Sequence, residues 1–136
     1  MDKPKILIVD DDLDVVESIG KYLERNLECS VYRAEDGRKA FEHIEKEVFD
    51  LAILDVKMPG ISGIDVLKRL KAAHPAAEAM MISAWDSQQV AWEAIKCGAA
   101  DYVIKPSRIE VIFPKVRAIL EKIGKYFPKN LPDKNP

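Results

Sequence analysis

The sequence has few cysteines, no long apolar run and almost no charge imbalance. Each shortage removes a class of function. Only Cys29 and Cys97 occur in 136 residues. Two thiols so far apart have neither metal-ligand nor redox-pair spacing, so they read as small apolar residues of a chain kept in a reducing cytoplasm. No apolar stretch approaches the roughly 20 residues that span a bilayer. The opening Met1-Asp2-Lys3-Pro4-Lys5 leads into a four-residue apolar run, too short for a signal-peptide core. Lys plus Arg (21) nearly balances Asp plus Glu (23), for a net charge of -2. That balance supplies no electrostatic drive toward nucleic acid or an anionic membrane.

The composition, 48% hydrophobic and 32% charged, suits one globular domain with a full core. Five short apolar runs alternate with helical patterns. The runs are Ile6–Val9, Ser30–Arg33, Leu51–Leu54, Ala79–Ile82 and Tyr102–Ile104. The helical patterns are Leu13–Leu27, Arg38–Val48, Ile64–Ala73, Ser87–Cys97 and Ile109–Ile123. Five βα units predict an α/β fold with a parallel sheet covered by helices on both faces. The first, third and fourth runs are continuously apolar, as central strands are. The second is the most polar and suits an edge. The expected architecture is a flavodoxin-like doubly wound (βα)5 sheet, order 2-1-3-4-5.

Helix ends are marked too. Asp11 or Asp12 can cap the first helix, whose apolar stripe is Val16, Ile19, Leu23 and Leu27. Ser62 with Asp65, and Ser107 with Glu110, resemble capping boxes. Gly98 can close the fourth helix in a left-handed conformation. Pro114 falls inside the last helical pattern and predicts a kink or a late helix start. His43 and His74 read as surface residues. Residues 126–136 contain three prolines and little apolar surface, and read as a linker or a frayed end.

In such a sheet, ligands bind beyond the carboxyl ends of the strands, where the order reverses between strands one and three. Strand one runs into Asp10-Asp11-Asp12 and strand three ends at Asp55. Carboxylates this crowded raise one another's pKa unless positive charge joins them. A hard divalent cation with oxygen ligands does so; Mg2+ fits, with Mn2+ as an alternative. Asp12 is better placed for the helix cap than for a metal. Strand four adds the hydroxyl of Ser83 and strand five the ammonium of Lys105. Asp10, Asp11 and Asp55 sum to -3; Mg2+ and Lys105 sum to +3. This arrangement suits phosphoryl transfer, with an aspartate as nucleophile.

Together, "ILIVDDD", "LAILDVKMPGISG", "MMISA" and "GAADYVIKP" resemble the receiver domain of bacterial two-component response regulators, over roughly residues 5–123. The resemblance implies that Asp55 is the phosphoacceptor and that Asp11 ligates Mg2+ directly. Asp10 would hold metal-bound water, and the backbone carbonyl of Lys57 would complete the protein ligands. It makes Ser83 the switch hydroxyl and Lys105 the phosphate-pairing lysine, with a cis bond to Pro106. Tyr102 becomes the switch aromatic. It further implies a receiver domain over residues 1–123, and a tail or linker over 124–136 leading to an absent output domain.

The partners so implied are a sensor histidine kinase or a phosphotransfer protein of a phosphorelay, an output domain or effector, and a second copy in a phosphorylation-dependent homodimer. The output surface would be the face built from the fourth helix, fifth strand and fifth helix. The domain would catalyse its own phosphorylation and a slow autodephosphorylation. Trp85, two residues after Ser83, is expected to shield the phosphoryl group, and Trp92 to face solvent or a partner. "KPSRIE" departs from the family in lacking the apolar residue after Lys-Pro. Two other readings use the same residues. One is a degenerate receiver that binds partners without phosphorylation. The other is a phosphatase of the haloacid-dehalogenase type, which carries a second Asp where this chain has Lys57.

Overall fold

The structure is a computed structural model that describes residues 2–84, 88–105 and 108–129. Five strands, β1 (Lys5–Val9), β2 (Ser30–Ala34), β3 (Leu51–Asp55), β4 (Glu78–Ser83) and β5 (Asp101–Ile104), alternate with five helices. These are α1 (Leu13–Asn26), α2 (Gly37–Lys46), α3 (Gly63–Ala73), α4 (Gln88–Lys96) and α5 (Ile109–Lys122). All strand pairs are parallel and the order is β2-β1-β3-β4-β5, as the sequence predicts.

Side chains alternate across a strand, so one apolar run supplies two cores. Ile6, Ile8, Leu51, Ile53, Met80 and Ile82 face α1 and α5, packing with Val16, Ile19, Leu23, Val116 and Leu120. Leu7, Val9, Ala52, Leu54, Ala79 and Met81 face the opposite way, toward Ile44, Val66, Leu67, Leu70 and Ala94 of α2, α3 and α4. β1 and β3 are buried on both faces, whereas most of β2 is only half-buried. The four residues of the α1 stripe are all buried.

The caps explain where most helices begin and end. Asp12 caps α1, accepting from the Asp14 amide. Ser62 and Asp65 form the reciprocal capping box of α3. Gly98 (φ 104°) ends α4: its amide donates to the Ile95 carbonyl at 3.0 Å and the Ala99 amide to Ala94 at 3.0 Å, a Schellman pair. Gly124 (φ 74°) ends α5 the same way.

Several expectations need correction. The N-cap position of α5 is Arg108, whose side chain makes no capping bond; Ser107 lies outside the described residues. Of the kink or late start expected at Pro114, the late start does not occur, because α5 runs from Ile109 through Pro114. Pro114 and Glu110, whose carbonyl loses the Pro114 donor, are both exposed, so the missing bond falls on the solvent side. His43 and His74 are half-buried rather than on the surface. Each ring Nε2 lies against a backbone carbonyl, Arg33 at 3.0 Å and Ile44 at 3.2 Å, and His43 stacks edge-on with Tyr32 and Phe49. The chain from Tyr126 to Lys129 is not frayed. It pairs antiparallel with the α1–β2 loop, with Leu27 bridged to Pro128. No helix among the described residues is long and apolar enough to cross a membrane.

Candidate functional site

The acidic residues meet because of register. Val9 pairs with Leu54, so Asp10 and Asp55 lie one step further along neighbouring strands. Asp55 pairs with Ile82 and Ser83 with Ile104, which brings Ser83 and Lys105 to the same rim. The Lys105 amide donates to the Ser83 carbonyl at 2.7 Å, tying these two together. Asp10, Asp55 and Ser83 are held at the ends of buried strands, a rigid support for a site, and Lys105 follows the partly buried β5.

One ligand oxygen each from Asp10, Asp11 and Asp55 fits within 4.8 Å of the others. Asp10 and Ser83 are fully buried and Asp55 nearly so, while Asp11 and Lys57 are exposed. Asp10 divides its oxygens: Oδ1 accepts the Asp12 amide at 2.9 Å, and Oδ2 faces Lys105 Nζ at 2.8 Å. The same ammonium stands 3.5 Å from Asp55 Oδ2. Burial opposes the charge of Lys105, but Asp10 and Asp55 outweigh it and hold its pKa above the ordinary value. Burial, joined by the Asp10 charge and opposed by Lys105, pushes the Asp55 carboxyl up to about 7.

These residues fit a divalent cation. Three carboxylates against one ammonium leave -2, the complement of Mg2+. The donor set is all oxygen, as hard cations prefer. Asp10 Oδ2 is buried and meets no aligned hydrogen-bond donor, so its charge is answered by the Lys105 ammonium alone, which Asp55 shares. Tyr102 is half-buried on β5, packed against the α2–α3–α4 core. Trp85 and Pro106 lie outside the described residues. Trp92 is 65% exposed, with Lys96 Nζ 4.8 Å from its ring centre.

Gly63, the first residue of α3, belongs to the site's support and has no obvious sequence signal. A Cβ there would lie 2.0 Å from the Asp55 carbonyl oxygen and 2.9 Å from the Val56 Cα. Its amide donates to the Val56 carbonyl at 2.8 Å. Only glycine allows α3 to press against the backbone of Asp55 so closely. Gly60 (φ 78°) turns the same loop after Pro59.

Comparison with known proteins gives one consistent picture. The family model "Response regulator receiver domain" matches residues 6–117. The chain is 40% identical over 121 residues to the transcriptional regulatory protein ZraR of Escherichia coli, covering 89% of this chain and 26% of that one. It thus spans about a quarter of that relative's length. Among solved structures, the receiver domain of Francisella response regulator 1452 is 30% identical with a TM-score of 0.80, covering 89% of this chain and 99% of that chain. The BeF3-activated DrrB receiver domain, a Thermotoga maritima protein, is 25% identical with a TM-score of 0.80, covering 88% and 99%.

Proposed function

From the premise that the chain belongs to the response regulator receiver domain family, we propose that it is a phosphorylation-dependent signalling receiver with Asp55 as acceptor. The donor is the phosphohistidine of a sensor histidine kinase or a phosphotransfer protein. A carboxylate oxygen of Asp55 attacks phosphorus; the P–N bond breaks as the O–P bond forms, and the imidazole leaves with the electron pair. Water later cleaves the acyl phosphate and restores the carboxylate, a slow autodephosphorylation.

Asp10, Asp11, Asp55 and the Lys57 carbonyl would hold Mg2+, or Mn2+, which when bound neutralises charge on the phosphoryl oxygens. Lys105 pairs with one of those oxygens, and the Ser83 hydroxyl turns to donate to another. Tyr102 moves into the space Ser83 leaves. The α4–β5–α5 face then changes shape and is read by an output domain, an effector or a second copy. Four of the six exposed large apolar side chains among the described residues, Trp92, Ile95, Ile104 and Val111, belong to these three elements. That supports a reading surface there.

In this reading residues 1–123 are the receiver, and 124–136 lead toward an output domain. The domain works in the cytoplasm and itself binds neither nucleic acid nor membrane. The observation that carries the proposal is the convergence of Asp10, Asp11, Asp55 and Lys105 at the reversal of strand order. The test is incubation with acetyl phosphate and Mg2+, followed by intact mass. Gain of one phosphoryl group, absent in Asp55→Asn, is the expected result. Absence of any adduct overturns the proposal in favour of a binding module. Steady turnover of phosphoesters overturns it in favour of a phosphatase; the exposed Lys57, in place of a second Asp, argues against that outcome.

A further inference from the structure

After α5 ends at Gly124, the chain doubles back and fastens onto elements far from α5 in sequence. The Glu28 amide donates to the Phe127 carbonyl at 2.8 Å and the Lys129 amide to the Asn26 carbonyl at 2.8 Å. Lys129 Nζ donates to the Glu24 carbonyl at 2.6 Å, covering the negative end of α1. Lys125 Nζ pairs with Asp50 Oδ1 at 2.9 Å. Asp50 is itself a junction at the amino end of the sheet. Its Oδ2 accepts the Lys5 amide at 2.8 Å, and its backbone bonds Lys5 and Glu78. Tyr126 packs on the α1–α5 core beneath the Arg117 guanidinium, 4.8 Å above its ring.

The other end of α5 is built differently. A cavity of about 410 Å³ opens between α1 and α5, walled by Ile109, Ile112, Val15, Ile19 and Lys105. α5 is therefore a helix of 14 residues, about 21 Å long, with room beneath its first turn and a fastening at its last. Lys105, which touches both Asp10 and Asp55, lies in the wall of that room. If α5 tilts into the cavity as Lys105 is drawn toward the acceptor, the far end is levered against bonds that do not belong to α5.

We propose that residues 125–129 form a detachable strap whose docking on the α1–β2 loop and Asp50 is coupled, through α5, to occupation of the Asp55 site. Occupation loosens the strap, so residues 125–129 are held more weakly in the occupied state. This rests on the phosphoacceptor reading above.

Amide exchange at Glu28 and Lys129 reports the strap directly. It is measured on the full chain with Mg2+, with and without beryllofluoride as the phosphoryl mimic. Exchange at both amides should accelerate about fivefold or more, the scale of a typical coupling. Equal or slower exchange while beryllofluoride is bound overturns the strap coupling alone. Failure of beryllofluoride to bind overturns the acceptor reading, and the coupling falls with it. Coupling is reciprocal, which provides a second measurement. Lys125→Ala with Lys129→Ala removes two strap contacts without touching the core. It should bind beryllofluoride more tightly than wild type, and unchanged affinity with the Glu28 amide freed overturns the proposal.

Discussion

Replacing Gly63 with alanine sets two principles against each other. By helix propensity the change should help: alanine in place of glycine at a compatible position stabilises by about 0.4–1 kcal/mol. The φ of Gly63 lies outside the positive region, so no conformational penalty offsets that gain. The structure predicts the opposite sign. The added methyl would meet the Asp55 oxygen at 2.0 Å, the Asp55 carbonyl carbon at 2.7 Å and the Val56 Cα at 2.9 Å. An ordinary contact begins near 3.4 Å. All three atoms are backbone at the end of a central strand buried on both faces, so none can rotate aside.

Overpacking of this kind costs about 1–3 kcal/mol and occasionally more, and the overlap here belongs at the upper end. After the propensity gain is subtracted, a net loss of about 2 kcal/mol remains, or roughly 4–8 °C in Tm for a chain this size. Urea unfolding followed by circular dichroism measures it, with the slope unchanged if the fold is retained. Gly60→Ala is the contrast: no atom lies within 4 Å of its added Cβ, so its cost comes from the positive φ alone. Because the methyl of Gly63→Ala pushes on the carbonyl of Asp55 itself, acetyl-phosphate labelling should slow in that variant and not in Gly60→Ala. If Gly63→Ala is as stable as wild type, α3 is not pressed against the end of β3, and Asp55 is not positioned in this way.

The Asp55 carboxyl is pushed up to about 7 in the folded chain from an ordinary 3.8. Its contribution to stability is therefore full below pH 3.8 and is lost as pH rises through 7. In EDTA, Asp55→Asn should gain stability relative to wild type between pH 5 and 8, as followed by urea unfolding; a pH-independent difference would refute the shift. Saturating Mg2+ should stabilise wild type more at pH 8 than at pH 6, since binding requires the ionised carboxylate; thermal melts at both pH values check this. Lys105→Ala leaves Asp10 buried without its ion pair and should cost about 2 kcal/mol or more in EDTA. Mg2+ should restore part of that loss, and no restoration would mean that the ammonium and the metal do not answer the same charge.

The architecture was legible because burial writes itself into strands. Leu51–Leu54 has no polar position, and only a strand covered on both faces tolerates that; Ser30–Arg33 has several, and an edge does. The meeting of Asp10 with Asp55, and of both with Lys105, followed from strand order alone, since parallel strands deliver their ends to one rim. The role of Gly63 was not legible. "ISG" reads as a turn ahead of a helix, and a close approach of two backbones is a tertiary distance that no local pattern encodes. The docking of residues 125–129 was not legible for a related reason. It uses backbone amides and carbonyls, which every sequence possesses, and lysines that pair with a helix end and with Asp50. A proline-rich polar tail looks the same whether or not a loop lies ready to pair with it. His43 misled because its partner is the Arg33 carbonyl, a backbone group on a neighbouring strand.

On the proposed function, the geometry also constrains how a small charge change can move a helix. Converting the Asp55 carboxylate to an acyl phosphate adds only about one negative charge. The larger effect is displacement, because the charge moves outward from the buried strand end toward the rim where Ser83 and Lys105 lie. Lys105 holds Asp10 at 2.8 Å and Asp55 more loosely at 3.5 Å, so in the unmodified site it is committed to the deeper carboxylate. A phosphoryl group competes for the same ammonium from a new position. A modification can shift an equilibrium only by its differential interaction with the two states. The relevant quantity is therefore the difference between the Lys105–Asp10 pair and the Lys105–phosphoryl pair, not the strength of either. Arginine at position 105 would keep the charge but lock it in a planar fork. Lys105→Arg should thus accept phosphate while weakening the switch, read as labelling of Asp55 with little change in exchange at the Glu28 amide. Full switching by that variant would show that charge alone, without the flexible reach of lysine, is sufficient.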